Sequence, residues 1–132
     1  MPRPRLDAVA VTATDMNRAV AFYTCLGFEF PPLSATDRHV EAIALAGEAR
    51  LMIDSAELAA KLSGADPVPA NHSVFALLAE SPSEVDRIVD AVLAAGFTVK
   101  TMPWDAFWGQ RYATVVDPDG YAVDVFAPLS GA

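Results

Sequence analysis

The chain has 132 residues, 53% of them hydrophobic, and sets nine basic against seventeen acidic side chains for a net charge of −8 and a pI near 4.5. That length is one ordinary domain, the acidic balance has the wrong sign for a surface that tracks phosphates, so no nucleic-acid partner is expected, and no stretch reaches the ~20 uninterrupted apolar residues of a membrane span. The single cysteine, Cys25, rules out an internal disulfide and a cysteine-rich zinc site, and suits a reducing cytoplasm. Met1 to Arg5 holds two arginines with no apolar segment behind them, so no secretory leader is expected. A mean hydropathy of +0.29 is high for so short a chain and predicts apolar surface spent on a subunit interface or a ligand cavity.

In chain order, Asp7 to Ala13 reads as a buried strand. Thr14 and Asp15 offer caps for a helix with Met16, Ala19, Val20, Tyr23 and Leu26 on one face, and Gly27 ends it in the left-handed conformation. Phe28 to Phe30 restarts an extended segment that Pro31-Pro32 breaks, and residues 40–46 and 49–54 read as a hairpin turned at Gly47-Glu48. Ser55 to Leu62 reads as a short helix stopped by Gly64, with the polar, proline-containing residues 66–71 as a connector. His72 to Ala79 follows as a strand. Ser81-Pro82-Ser83-Glu84 is a capping box with proline at the first helical position, and Val85, Ile88, Val89, Val92 and Ala95 supply a buried stripe up to Gly96. Phe97 to Thr101 reads as a strand, Met102 to Gly109 as a loop holding Trp104, Phe107 and Trp108, and residues 111–116 and 121–127 as two strands joined by the turn Asp117-Pro118-Asp119-Gly120.

The segment Ala19 to Phe28, an amphipathic stretch closed by Leu-Gly-Phe, is echoed by Ile88 to Phe97, closed by Ala-Gly-Phe. Strand, helix, then strands occurs twice, which predicts an α+β fold of two pseudo-symmetric four-stranded units with helices on the convex side and a ligand on the concave side. The expected organisation is a single domain over 1–132, with module one about 6–64, a linker about 65–71 and module two about 72–128.

Thr14-Asp15-Met16, Phe22-Tyr23 and Leu26-Gly27-Phe28, followed nearly ninety residues later by Asp117-Pro118-Asp119-Gly120 and an apolar strand, resemble the glyoxalase, bleomycin-resistance and extradiol-dioxygenase superfamily, the vicinal oxygen chelate fold. The resemblance implies paired βαβββ modules, a sheet rolled round a cavity, and a homodimer in which modules pack across chains. In the metal-dependent branches the ligands sit on the first and last strands of each module. Here the first strand offers Leu6, Ala10 and Thr12, and the last strand of module one Arg50, Met52 and Asp54 or Ala49, Leu51 and Ile53. The first strand of module two supplies His72 and its last strand Asp124, two ligands where three or four must converge on one cation, so neither metal nor cofactor is expected.

Trp108-Gly109-Gln110-Arg111-Tyr112 resembles the aromatic stretch of the bleomycin-resistance proteins, which lack the metal set and sequester a drug. The expected ligand-binding residues are therefore Trp104, Phe107, Trp108, Arg111, Tyr112, His72 and Asp124. The expected activity is metal-independent binding of a planar, amphipathic or cationic small molecule, with drug or toxin sequestration as its concrete form. An enzyme acting on an α-oxo or vicinal-oxygen substrate, a lyase, isomerase or dioxygenase type with His72 and Asp124 as metal ligands or a general-base pair, is the alternative. Packing roles are open for the aromatic residues, and Arg111 has Asp105 and Asp117 within reach as simple ion-pair partners. His39 with Asp37 and Glu41 reads as a solvated turn, and Tyr23 and Cys25 as helix packing residues.

Overall fold

The computed structural model of the protein describes residues 2–69 and 74–129. Among them the elements are β1 (Ala8–Ala13), α1 (Met16–Cys25), β2 (His39–Glu41), β3 (Arg50–Ser55), α2 (Ala56–Ser63), β4 (Phe75–Leu78), α3 (Pro82–Ala94), β5 (Thr98–Ala106), β6 (Gln110–Val116) and β7 (Ala122–Pro128). They form a three-stranded sheet ordered β1-β3-β2 and a four-stranded sheet ordered β4-β7-β6-β5. In each, the strand before the helix lies parallel to the last strand of its module, β1 beside β3 and β4 beside β7, and an antiparallel strand follows on the far side. The wiring is βαβββ taken twice, and neither sheet closes into a barrel. Module one falls short of four strands: residues 28–30 contribute one backbone bond, from the Ile43 N–H to the Glu29 carbonyl at 2.8 Å. Pro31 and Pro32 follow at once and have no N–H to extend that ladder.

The repeated Gly-Phe steps end their helices in the same way. The Gly27 N–H donates to the Thr24 carbonyl at 3.0 Å and the Phe28 N–H to Tyr23 at 3.2 Å; the Gly96 N–H donates to Leu93 and the Phe97 N–H to Val92, each at 3.0 Å. Gly27 at φ 101° and Gly96 at φ 83° hold the positive φ that this ending requires. At the other ends, Asp15 accepts from the Arg18 N–H and Ser81 from the Glu84 N–H, with Pro82 in the first turn. The Glu84 carboxylate, expected to fold back onto the cap, is taken by Arg87 one turn on.

Strand alternation builds the core. Val11 and Ala13, Leu51 and Ile53, Ala113 and Val115, and Val123, Val125 and Ala127 point to one side of their sheets and are buried. α1 lies against β3 and α3 against β5, β6 and β7, bringing Phe22, Tyr23, Val85, Val89 and Val92 onto those faces in one hydrophobic cluster that spans both modules. Each such side chain contributes about 1.5–3 kcal/mol by leaving water.

A polar clasp joins the modules beside this cluster. The buried Tyr23 hydroxyl donates to Oδ2 of Asp117 at 2.8 Å, and Oδ1 of Asp117 accepts from the N–H groups of Asp119 and Tyr121, each at 2.9 Å. Asp119 in turn accepts from the Thr14 N–H at 3.1 Å and its hydroxyl at 2.9 Å, while the hydroxyls of Tyr121 and Thr12 share a bond of 2.6 Å. Asp117 is only 4% exposed, and burial pushes its carboxyl above the usual carboxylate range. Burial, reinforced by Asp117, likewise pushes the Tyr23 phenol far up, so it stays a donor.

One stretch departs from the sequence expectation. β5 does not stop at Thr101 but runs to Ala106, so Trp104 stands on a strand rather than in a loop. Register shifts between Val99 and Thr101 and between Thr101 and Trp104 let the ladder resume beyond Pro103. β5 is a sheet edge, where a proline is tolerated.

Candidate functional site on the open sheet faces

With helices on one side, the alternate residues of each strand make a second face that α1 and α3 leave open. Pairing fixes who meets there. On module two, Tyr112 lies opposite Phe126 and Trp104, Thr114 opposite Asp124, and Asp124 beside Ala76. Asp124 accepts from the Thr114 hydroxyl at 2.8 Å and from the Tyr112 hydroxyl, whose pKa is pushed up by partial burial and by that carboxylate. Trp108 is the hub of an aromatic cluster, edge-on to Phe107 at 4.9 Å, Tyr112 at 5.4 Å and Trp104 at 5.5 Å between ring centroids. Its indole N–H donates to Gln110 at 2.8 Å. Trp104 and Trp108 are 40% and 47% exposed and Phe107 is 91% exposed. Such edge-to-face contacts hold rings in place while leaving π surface for a further partner.

The structure thus brings Trp104, Phe107, Trp108, Tyr112 and Asp124 to one face. It places Arg111 elsewhere: one residue from Tyr112 along a strand is the opposite face, and the guanidinium bridges Asp86 of α3 and Asp105, each at 3.0 Å. Those partners raise its pKa, the Asp86 hydrogen bond most. His72 lies outside the described residues. The cluster lies on the open sheet surface, and a cleft of about 480 Å³ opens at the module junction between Leu26, Phe28, Ile43, Leu45 and Leu78.

The open face of module one is charged. Counted back from the caps Asp15 and Ser81, Ala10 and Met52 correspond to Ala76 and Asp124, so His39, Glu41 and Asp54 stand where module two has Tyr112, Thr114 and Phe126. His39 contacts Asp54 through Nδ1 at 2.6 Å and Glu41 through Nε2 at 2.9 Å; Arg50 donates to Glu41 at 2.6 Å and Asp7 at 2.7 Å. His39 therefore belongs to a paired strand, not a solvated turn. No period shows in so short a strand, and the role of His39 comes from Asp54 across the pair.

Of the two candidate ligands, His72 lies outside the described residues and Asp124 is already engaged by two hydroxyls. Among the described residues no group of three histidine, cysteine or carboxylate side chains is arranged to hold a cation. The described donors alone do not supply the three protein ligands of a metal centre.

Two repeated modules carry α1 and α3 on one face of their sheets and leave a chemically distinct face open. The chain belongs to the Glyoxalase/Bleomycin resistance protein/Dioxygenase superfamily, whose family model matches residues 5–125. Solved structures agree in fold. A glyoxalase/bleomycin resistance protein/dioxygenase from Nocardioides is 23% identical, covering 100% of this chain and 88% of its own, with a TM-score of 0.73. A family enzyme from Burkholderia phytofirmans PsJN is 18% identical over 96% of this chain and 100% of its own, TM-score 0.79, and a lactoylglutathione lyase from Agrobacterium tumefaciens 22% identical over 96% of each, TM-score 0.68. No curated protein sequence matches.

Proposed function

We propose that the chain is a metal-independent small-molecule-binding protein whose open face on module two holds a planar, amphipathic or cationic ligand, with sequestration of a drug or toxin as its role. The observation that carries this reading is the exposed, edge-locked cluster of Trp104, Phe107, Trp108 and Tyr112 beside the carboxylate of Asp124. Aromatic faces attract flat and cationic molecules, and the net charge of −8 favours a cation over an anion. The chain works on this reading as a single domain in the cytoplasm, where its lone Cys25 stays reduced. It pairs as a homodimer, because Ile43, Leu45, Leu78, Met102 and Phe107 are all more than half exposed.

The test is a screen of cationic and aromatic antibiotics by intrinsic fluorescence, which reports on Trp104 and Trp108 alone because they are the only tryptophans. Trp108→Ala should weaken a hit by about 1–3 kcal/mol, roughly 5- to 150-fold in Kd. Half-exposed Trp108 is no core residue, so the fold should lose less than the roughly 3–5 kcal/mol of a buried aromatic. Failure of every compound to perturb the signal, or undiminished binding by Trp108→Ala, refutes the platform. Stoichiometric metal found by elemental analysis and lost in Asp124→Ala would instead favour metal-assisted chemistry.

A further inference from the structure

The charged network on module one lies apart from the aromatic platform and is not used by it. We propose that Asp54 and His39 form a proton-accepting dyad on this open face, covered by Glu41 when the ring is charged and bared when it is neutral.

The geometry leads there in three steps. Both ring nitrogens of His39 sit within hydrogen-bond distance of a carboxylate oxygen, 2.6 Å to Asp54 and 2.9 Å to Glu41. A carboxylate only accepts, so both contacts hold together only when both nitrogens carry hydrogen, which is the imidazolium. On losing one proton the ring must give up one contact, and the partners decide which. Glu41 has a second donor, the Arg50 guanidinium at 2.6 Å, itself anchored on Asp7. Asp54 has no other hydrogen-bond partner among the described residues. The remaining proton therefore stays on Nδ1 facing Asp54, and Nε2 is left with a free lone pair on the open face.

The charged groups around the ring are Asp54 and Arg50 from β3, Glu41 from its own strand, and Asp7 ahead of β1. With the ring charged, three carboxylates face two cations, so an anionic substrate is disfavoured. The class that fits is a neutral or cationic small molecule carrying a carbon or oxygen acid. Its X–H bond breaks, the electron pair stays on X, the proton joins Nε2, and the resulting imidazolium is shared between Asp54 and Glu41. The proton returns by the reverse step. Hydrogen bonds to Asp54 and then Glu41 hold His39 above the ordinary histidine range, as a base built between carboxylates should be.

The experiment uses the full chain labelled with ¹⁵N-histidine, with His72→Gln to remove the other histidine. Two-bond proton–nitrogen spectra across a pH series read the midpoint and the tautomer directly. The expected result is a midpoint above about 6.5 and a neutral form protonated at Nδ1. Glu41→Gln removes the covering charge and should lower the midpoint. Diethyl pyrocarbonate, which acylates neutral imidazole, should then modify His39 faster at pH 7, by at most about threefold for a fall of half a pH unit and at most about tenfold for a fall of one. Asp54→Asn should abolish the Nδ1–H preference. A neutral ring protonated at Nε2, a midpoint at or below that of a free histidine, or a midpoint indifferent to Glu41→Gln would each overturn the dyad, and the tautomer is read without altering either of its members.

Discussion

Replacing Tyr23 with phenylalanine isolates the polar half of the clasp from its packing half. The ring is retained, edge-on to Phe22 at 4.9 Å and stacked near Phe75 at 6.5 Å, so no cavity is opened. What is lost is the hydroxyl that donates to Oδ2 of Asp117 at 2.8 Å. Oδ1 keeps its two backbone donors, but Oδ2 is left without a hydrogen bond in a residue only 4% exposed. A hydrogen bond to a charged group contributes about 1.5–3 kcal/mol, so Tyr23→Phe should destabilise by about 2 kcal/mol at neutral pH. With an unfolding entropy near 2.1 cal/mol/K per residue, this is a fall of roughly 7 °C in Tm for a chain of this length. The loss should also depend on pH with a definite sign. Burial already raises the Asp117 carboxyl above its unfolded value, and removing the donor raises it further, so lowering the pH protonates the variant first and relieves its penalty. Urea unfolding of both proteins from pH 8 down toward 5 should show the gap narrowing. A gap below about 0.5 kcal/mol at neutral pH, or one that widens on acidification, would refute the assignment of the clasp as a stabilising, charge-bearing contact.

Gly27→Ala and Gly96→Ala should cost similar amounts, about 1–2 kcal/mol each, because both sites demand positive φ and neither would bring a new Cβ within 4 Å of another atom; thermal melts with losses that differ severalfold would contradict the equivalence of the two helix ends. His39 is raised by its partners, so its stabilising contribution is complete below the unfolded value of about 6.5 and is lost as pH rises through the folded value. Unfolding of the protein and His39→Gln should therefore differ most at the acidic end of a pH 5.5 to 9 series, and a difference that grows on the alkaline side would reverse the sign. Sedimentation equilibrium at micromolar concentration should return twice the chain mass of 14.0 kDa, through an interface of at least ~1,000 Å², and a mass of one chain would rule out the proposed homodimer.

The elements most legible in the sequence were those fixed by local chemistry. Ser81-Pro82 starts α3, Ser55 and Gly64 bracket α2, and the two Gly-Phe steps end α1 and α3, because caps and left-handed glycines act through hydrogen bonds to residues three to five positions away. What local chemistry could not supply was pairing. β5 continues past Pro103 only because β6 lies beside it to receive a shifted register. β2 has three residues, too few for a period to show, and its meaning comes from β3 opposite. For the site, five aromatic and acidic candidates share a face, while Arg111 is joined to Tyr112 only by the likeness of a short stretch, and neighbours in a strand point to opposite sides. His39 reads as a turn residue in the sequence because the carboxylate that gives it a role, Asp54, lies fifteen residues away.

The clasp also orders events during synthesis. Its three long-range contacts join Tyr23 to Asp117, Thr14 to Asp119 and Thr12 to Tyr121, across 94, 105 and 109 residues. At about 5–20 residues per second, the ribosome releases the far partners roughly 5–20 s after the near ones. Throughout that interval the Tyr23 hydroxyl lacks its Asp117 partner and the part of the shared core that module two supplies is missing, a state open to association with other chains. Substitutions in the turn from Asp117 to Tyr121 should therefore reduce yield chiefly while the chain is being made, by prolonging exposure of residues that were translated first.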